Sequence, residues 1–205
     1  KERENWHFFP GNFIQPNGRM GLSVKEMTSP QRTLAQTLLS SALSHRGQIE
    51  ASTVILLENI LYEKEKREMR NPDHYHYTIF GNPDKAGTWG WRFEGHHLSL
   101  NCTLVGGKLF SVTPSFWGSS PTRVTKGIHK DLQVLGKEQS LSLDLVNSFS
   151  AKQKEQALLS KSHGPEPASR VFREDYESNP GIPYQSLKKE QQIQLYDLIV
   201  VFAEK

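Results

Sequence analysis

The apolar positions of this chain change period as it proceeds, and the changes divide it into helical and extended regions. Leu34, Ala35, Leu38, Leu39, Ala42 and Leu43 recur at the three-and-four spacing that keeps side chains on one helical face. Ser29-Pro30 supplies a start, with serine as N-cap and proline at the first helical position, and Gly47 supplies a stop. A second helical pattern covers residues 50–69, with Val54, Leu57, Ile60 and Leu61 on one face and Asn71-Pro72 as its end.

The period then drops to two. Residues 75–80 form an aromatic, β-branched run, and residues 108–113 alternate in the same way. Between them, His96, Leu98, Leu100, Cys102 and Leu104 share one parity, while His97, Ser99, Asn101 and Thr103 share the other. Connections fall at Gly81 to Gly87 and at Gly106-Gly107, where a tight hairpin turn needs positive φ. Upstream of Gly95 the apolar residues Trp89, Trp91 and Phe93 are odd-numbered, so the apolar face changes parity across that glycine. Such a one-residue slip predicts a β-bulge at Gly95 that re-aims His96 and His97.

A pair of helices followed by an antiparallel meander, without alternation, predicts an α+β fold. The parts are an aromatic arm over 1–27, a helical hairpin over 28–70 packed on a β-meander over 74–114, and a mainly helical region over 131–205. They form one domain over 1–205 or the N-terminal part of a longer one. Trp6, Phe8, Phe9 and Phe13 make the arm too aromatic for a disordered tail. Residues 114–121 read as a loop with Phe116 and Trp117 at its tip, packed under the sheet or walling a pocket. Helices are expected over 131–148 and 150–161, the latter opened by a Ser150–Gln153 capping box. A loop over 162–169 leads into Val171-Phe172-Arg173. A last helix over 186–203 carries Ile193, Leu195, Leu198, Ile199 and Phe202, a face that must pack on something.

Composition removes several functions. The 205 residues contain 25 basic and 22 acidic side chains, and the charges are interspersed. No basic stripe interleaved with aromatics supports nucleic-acid binding. The run Glu63 to Glu68 reads as a solvated helix face. No apolar stretch approaches the length of a membrane span. The single cysteine, Cys102, excludes an internal disulfide and a cysteine metal knuckle, and its parity makes it a buried thiol. No phosphate loop, nucleophile elbow, dinucleotide fingerprint or kinase signature occurs.

The remaining chemistry lies in histidines. His96-His97 are adjacent, and adjacent strand residues face opposite ways unless Gly95 twists them together. His74 and His76 have the i, i+2 spacing that puts two imidazoles on one strand face. His7, His45, His129 and His163 read as surface residues. With Glu94, Asp73 and Arg92 nearby, the favoured expectation is a metal-dependent enzyme, hydrolytic or oxidative. In it His96 and His97 are metal ligands, Glu94 a base, and Arg92 a fork that orients substrate. Imidazole with a carboxylate suits zinc, iron, copper or nickel. The competing expectations keep Arg92 as an ion pair with Glu94 or a cation stacked between tryptophans, and His96 as a core residue. They make the protein a non-catalytic module, with Trp89, Trp91 and Trp117 lining a pocket for a small or carbohydrate-like ligand, or leave only a structural aromatic core.

Several segments carry a resemblance. They are Trp6 with Pro10, Ser29-Pro30-Gln31-Arg32, L-S-S-A-L-S-H-R-G over 39–47 and Y-T-I-F-G over 77–81, with W-G-W-R-F-E-G-H-H-L over 89–98 and P-S-F-W-G over 114–118. Through them the whole chain resembles an uncharacterised family, a domain of unknown function in bacterial and fungal proteins, many of them exported. The resemblance implies a shared fold without an established activity. It also implies a further segment after the last helix, with an H-x-H strand motif. His96 and His97 would then be this part's contribution to a histidine site, while His74 and His76 fall at positions of variable type.

Overall fold

The computed structural model describes residues 2–11, 18–158 and 181–205. The expectations for Phe13, His163, the loop over 162–169, Val171-Phe172-Arg173 and the end of the helix over 150–161 lie outside the described residues. The chain forms two compact units, residues 1–134 and 135–205.

The first unit is α+β. A two-residue strand β1 (Leu22–Ser23) precedes helices α1 (Ser29–Ala42) and α2 (His45–Glu65). The cap of α1 is Thr28, one residue earlier than the sequence suggests. Gln31 Oε1 accepts from Thr28 N at 2.8 Å and from Thr28 Oγ1 at 3.0 Å. Gly47 does not close α1. Ser44 instead caps α2 by accepting from the Gly47 amide at 3.1 Å, which places the glycine in the first turn of the next helix. Helix α2 stops at Lys66, whose left-handed φ of 52° lets its amide donate to Tyr62 O at 2.7 Å. Asn71-Pro72 therefore lies beyond the helix, after a short 3-10 turn at Glu68–Arg70, and Pro72 opens a second at Pro72–His74.

Next come strands β2 (His76–Phe80), β3 (Thr88–Gly95), β4 (Leu98–Val105), β5 (Lys108–Ser111) and β6 (Ser115–Trp117). The antiparallel sheet has the order β1-β2-β3-β4-β5, with β6 also paired to β4. No bulge occurs at Gly95: β3 and β4 pair in unbroken register from Thr88↔Val105 to Gly95↔Leu98. The 89–103 block is two strands, not one, and His96-His97 is the two-residue turn between them. The change of parity is the hairpin itself. Residues 115–117, expected in a loop, pair with β4 as Leu98↔Trp117 and Leu100↔Ser115.

One face of β3 and β4 presents Trp91, Phe93, Leu98, Leu100 and Cys102. They form a core with Tyr75, with Leu39 of α1 and Leu43 just after it, and with Ala51 and Val54 of α2. The other face meets the arm, where Phe8 stacks on Phe116 at 3.7 Å between ring centroids. The second unit holds α3 (Gly136–Asn147), α4 (Ala151–Ala157) and α5 (Lys189–Ala203). The Ser150–Gln153 capping box forms as read from the sequence. On α5, Val201 and Gln191 are buried, while Ile193, Ile199 and Phe202 of the expected packing face are exposed. Among the described residues no helix is long and apolar enough to cross a membrane.

Candidate metal centre

The hairpin turn is held by backbone bonds from three directions. The His97 amide donates to Phe8 O at 3.0 Å, and His97 O accepts from the Gly118 amide at 2.8 Å. The Tyr75 hydroxyl donates to His96 O at 2.6 Å. Gly95 is required by packing, since a Cβ there would lie 2.3 Å from Tyr75 Cδ1. His97 sits at a left-handed φ of 65°, a conformation that glycine adopts freely and that asparagine, aspartate and histidine adopt more often than other side chains.

This turn stacks the two imidazoles, with ring centroids 3.7 Å apart and planes inclined by 25°. Both Nδ1 atoms face Glu58 of α2. His96 Nδ1 lies 3.0 Å from Glu58 Oε2, and His97 Nδ1 lies 2.7 Å from Oε1. Donor atoms of Glu58, His96 and His97 all fall within 4.8 Å of one another. Glu58 is 1 % exposed, whereas the two imidazoles keep a partly open edge. Arg70 Nη1 approaches the same group, at 3.3 and 3.4 Å from the Glu58 oxygens and 3.1 Å from His96 Nδ1.

Burial alone would raise the Glu58 pKa, but the hydrogen bonds from His96 and His97 overcome it and pull the carboxyl down to about 2. Glu58 is therefore a carboxylate throughout the physiological range. Burial holds the His96 ring below its ordinary value, against the pull of Glu58, and His97 and Arg70 add to the lowering. A neutral ring is the form that ligates a metal.

The other sequence candidates lie elsewhere. Arg92 and Glu94 alternate with Trp91 and Phe93, so they point to the arm side of the sheet. Fully buried, Arg92 donates from Nη1 to Asn5 O at 2.8 Å, from Nη2 to Arg3 O at 2.6 Å and from Nε to Asn101 Oδ1 at 2.6 Å. Its guanidinium lies over Phe80, not between tryptophans, and 3.8 Å from Glu94 Oε1. Glu94 accepts from the His7 amide at 2.8 Å. Both side chains are buried, and both fasten the arm. His74 lies in a 3-10 turn rather than on β2, so the strand-face argument for His74 and His76 does not apply. His74 pairs with Glu68 at 3.1 Å, and His76 Nδ1 meets His74 O at 3.1 Å. Asp73 pairs with Arg32 at 3.5 Å. His45 is exposed, while His7 and His129 are half-buried. Trp89 and Trp91 help line a cavity of about 480 Å³ with Arg3, Phe80 and Asn101. Trp117 is not part of that lining; it pairs across from Leu98 and donates to Ser115 Oγ at 2.8 Å. Burial pushes the Cys102 thiol up to about 12, in keeping with a packed core residue.

Sequence reasoning missed Glu58, Arg70 and Tyr75. A signal for Glu58 was present: it follows Leu57 and stands four residues after Val54, inside the apolar stripe of α2. A carboxylate in that stripe needs a partner.

Fold and cluster together define an α+β protein with a histidine–carboxylate group at a hairpin turn. The chain belongs to the family described as protein of unknown function (DUF3500), which matches it over residues 1–205. No curated protein matches it, and no solved structure does.

Proposed function

We propose that Glu58, His96 and His97 hold a divalent transition-metal ion and that the protein is a metal-dependent enzyme, hydrolytic or oxidative. The observation that carries this is the convergence of one buried carboxylate and two imidazoles within 4.8 Å. Two histidines and one carboxylate, with positions left for water or substrate, suit catalytic zinc and non-haem iron(II) alike. The ion would supply a polarising charge for hydrolysis or a redox centre for oxidation.

Two features favour an ion over a purely structural cluster. First, His96 Nδ1 lies 3.0 Å from a carboxylate oxygen and 3.1 Å from an arginine nitrogen. A protonated Nδ1 satisfies Glu58 but confronts the Arg70 N–H, and a bare Nδ1 satisfies Arg70 but confronts the carboxylate. Either proton position leaves one strained contact, and an ion on the lone pairs removes both protons once the Arg70 guanidinium has moved off them. Second, a turn required only to close the hairpin has glycine or asparagine available at its left-handed position. A histidine there, at φ 65°, in place of the freer glycine, favours a role for its ring.

Elemental analysis after loading with zinc or iron(II) tests the proposal. The wild type is expected to retain about one ion per chain, and His96→Ala and His97→Ala to lose it. A wild type without bound metal, whose alanine variants merely melt earlier, would assign the cluster to structure alone.

A further inference from the structure

A metal centre does not by itself account for Arg70. The residue lies in the 3-10 turn that follows α2, and its Nη1 stands within 3.1–3.4 Å of His96 Nδ1 and both Glu58 oxygens. These are atoms that an entering ion needs. The same side chain has a second partner, since Nε donates to Glu65 Oε2 at 3.4 Å, on the last residue of α2. Arg70 and Glu65 are both partly exposed, at 15% and 27% of their side chains, so their pairing lies at the solvent side of the cluster. Glu58 has almost no exposure, at 2%.

We infer that Arg70 is a built-in competitor for the ion, resting on Glu58 and His96 in the ion-free protein and withdrawing onto Glu65 when the ion enters. The inference rests on the metal reading above and adds a regulatory device to it. A guanidinium and a divalent cation repel at this range, and a pair of lone pairs cannot serve both. The arginine neutralises a buried carboxylate while no ion is present, which keeps the empty site folded. In exchange it lowers the apparent affinity, because each ion must first displace it. By linkage, whatever holds the guanidinium away from Glu58 promotes loading to the same degree that loading promotes its own binding.

Zinc titration by calorimetry, on the wild type, Arg70→Gln and Glu65→Gln, tests the inference, with a thermal melt confirming that each variant is folded. Arg70→Gln is expected to bind zinc at least about tenfold more tightly than the wild type. Glu65→Gln is expected to bind about two- to fivefold more weakly, because the displaced guanidinium loses its resting place. Glu65 lies outside the buried cluster, so this second variant decides the matter should Arg70→Gln fail to fold. Arg70→Gln binding zinc no more tightly than the wild type, or Glu65→Gln unchanged, overturns the competitor role and leaves the metal centre standing. Zinc bound by none of the three proteins overturns both.

Discussion

At the scale of single residues, the candidate site depends on a glycine and a left-handed histidine that stand two positions apart. Gly95 lets the Tyr75 ring lie across the strand, and the Tyr75 hydroxyl then holds His96 O. A side chain at 95 has nowhere to go, because the nearest atoms belong to a fully buried aromatic ring. Gly95→Ala is therefore expected to destabilise the protein by about 1–3 kcal/mol, as overpacking does. Chemical denaturation checks this, and an alanine variant as stable as the wild type would mean that the ring moves aside freely. His96 and His97 stood out in the sequence as candidates, since two adjacent imidazoles after a glycine are unusual, and the structure brings their rings together. The turn they form was not. Two-residue hairpins are ordinarily announced by Asn-Gly or a similar pair, and His-His gives no such signal, so the parity change looked like a bulge.

At the scale of elements, the same alternation that located the strands also separates Arg92 and Glu94 from the histidines. Period two puts them on the arm face, while Glu58 approaches from α2 at the end of the hairpin. Their proximity in sequence suggested a shared site; the pleat assigns them to another contact. That contact has a pH signature. Burial holds the Glu94 carboxyl above its ordinary 4.5, with Arg92 and the His7 amide pulling the other way. The folded protein thus keeps this proton to higher pH than the unfolded chain. Glu94 supports folding fully below pH 4.5, and that support is lost as the pH rises through its elevated folded value. Glu94→Gln has no such proton to lose. Its melting temperature is expected to gain on the wild type as the pH rises from 4.5 to about 7; parallel curves would contradict this account of the arm contact. The boundaries of α1 and α2 were legible only approximately. At the start of α1 the Gln31 side chain accepts from the Thr28 amide, and at the start of α2 Ser44 Oγ accepts from the Gly47 amide. Each bond satisfies an amide that would otherwise be orphaned, and neither was read from the serine and glycine punctuation.

At the scale of the whole molecule, the α+β class and the absence of an apolar span among the described helices followed from hydrophobic pattern alone. The completed cluster did not, because Glu58 is 38 residues before His96 and a single sequence carries no record of which distant residues meet. Local period gave the kind of the two long helices and of the main strands, though not the short strands at Leu22–Ser23 and Ser115–Trp117. Long-range packing decided that a helix carboxylate, not a strand carboxylate, joins the imidazoles. What matters most is whether this meeting point binds an ion. Crystals of the protein grown with saturating zinc, measured at the zinc absorption edge, test it most directly. The account predicts an anomalous peak bonded to Glu58, His96 and His97 at about 2.0–2.2 Å, with Arg70 withdrawn from the Glu58 carboxylate. Rings still hydrogen-bonded to Glu58, with Arg70 in place and no peak between them, would contradict it.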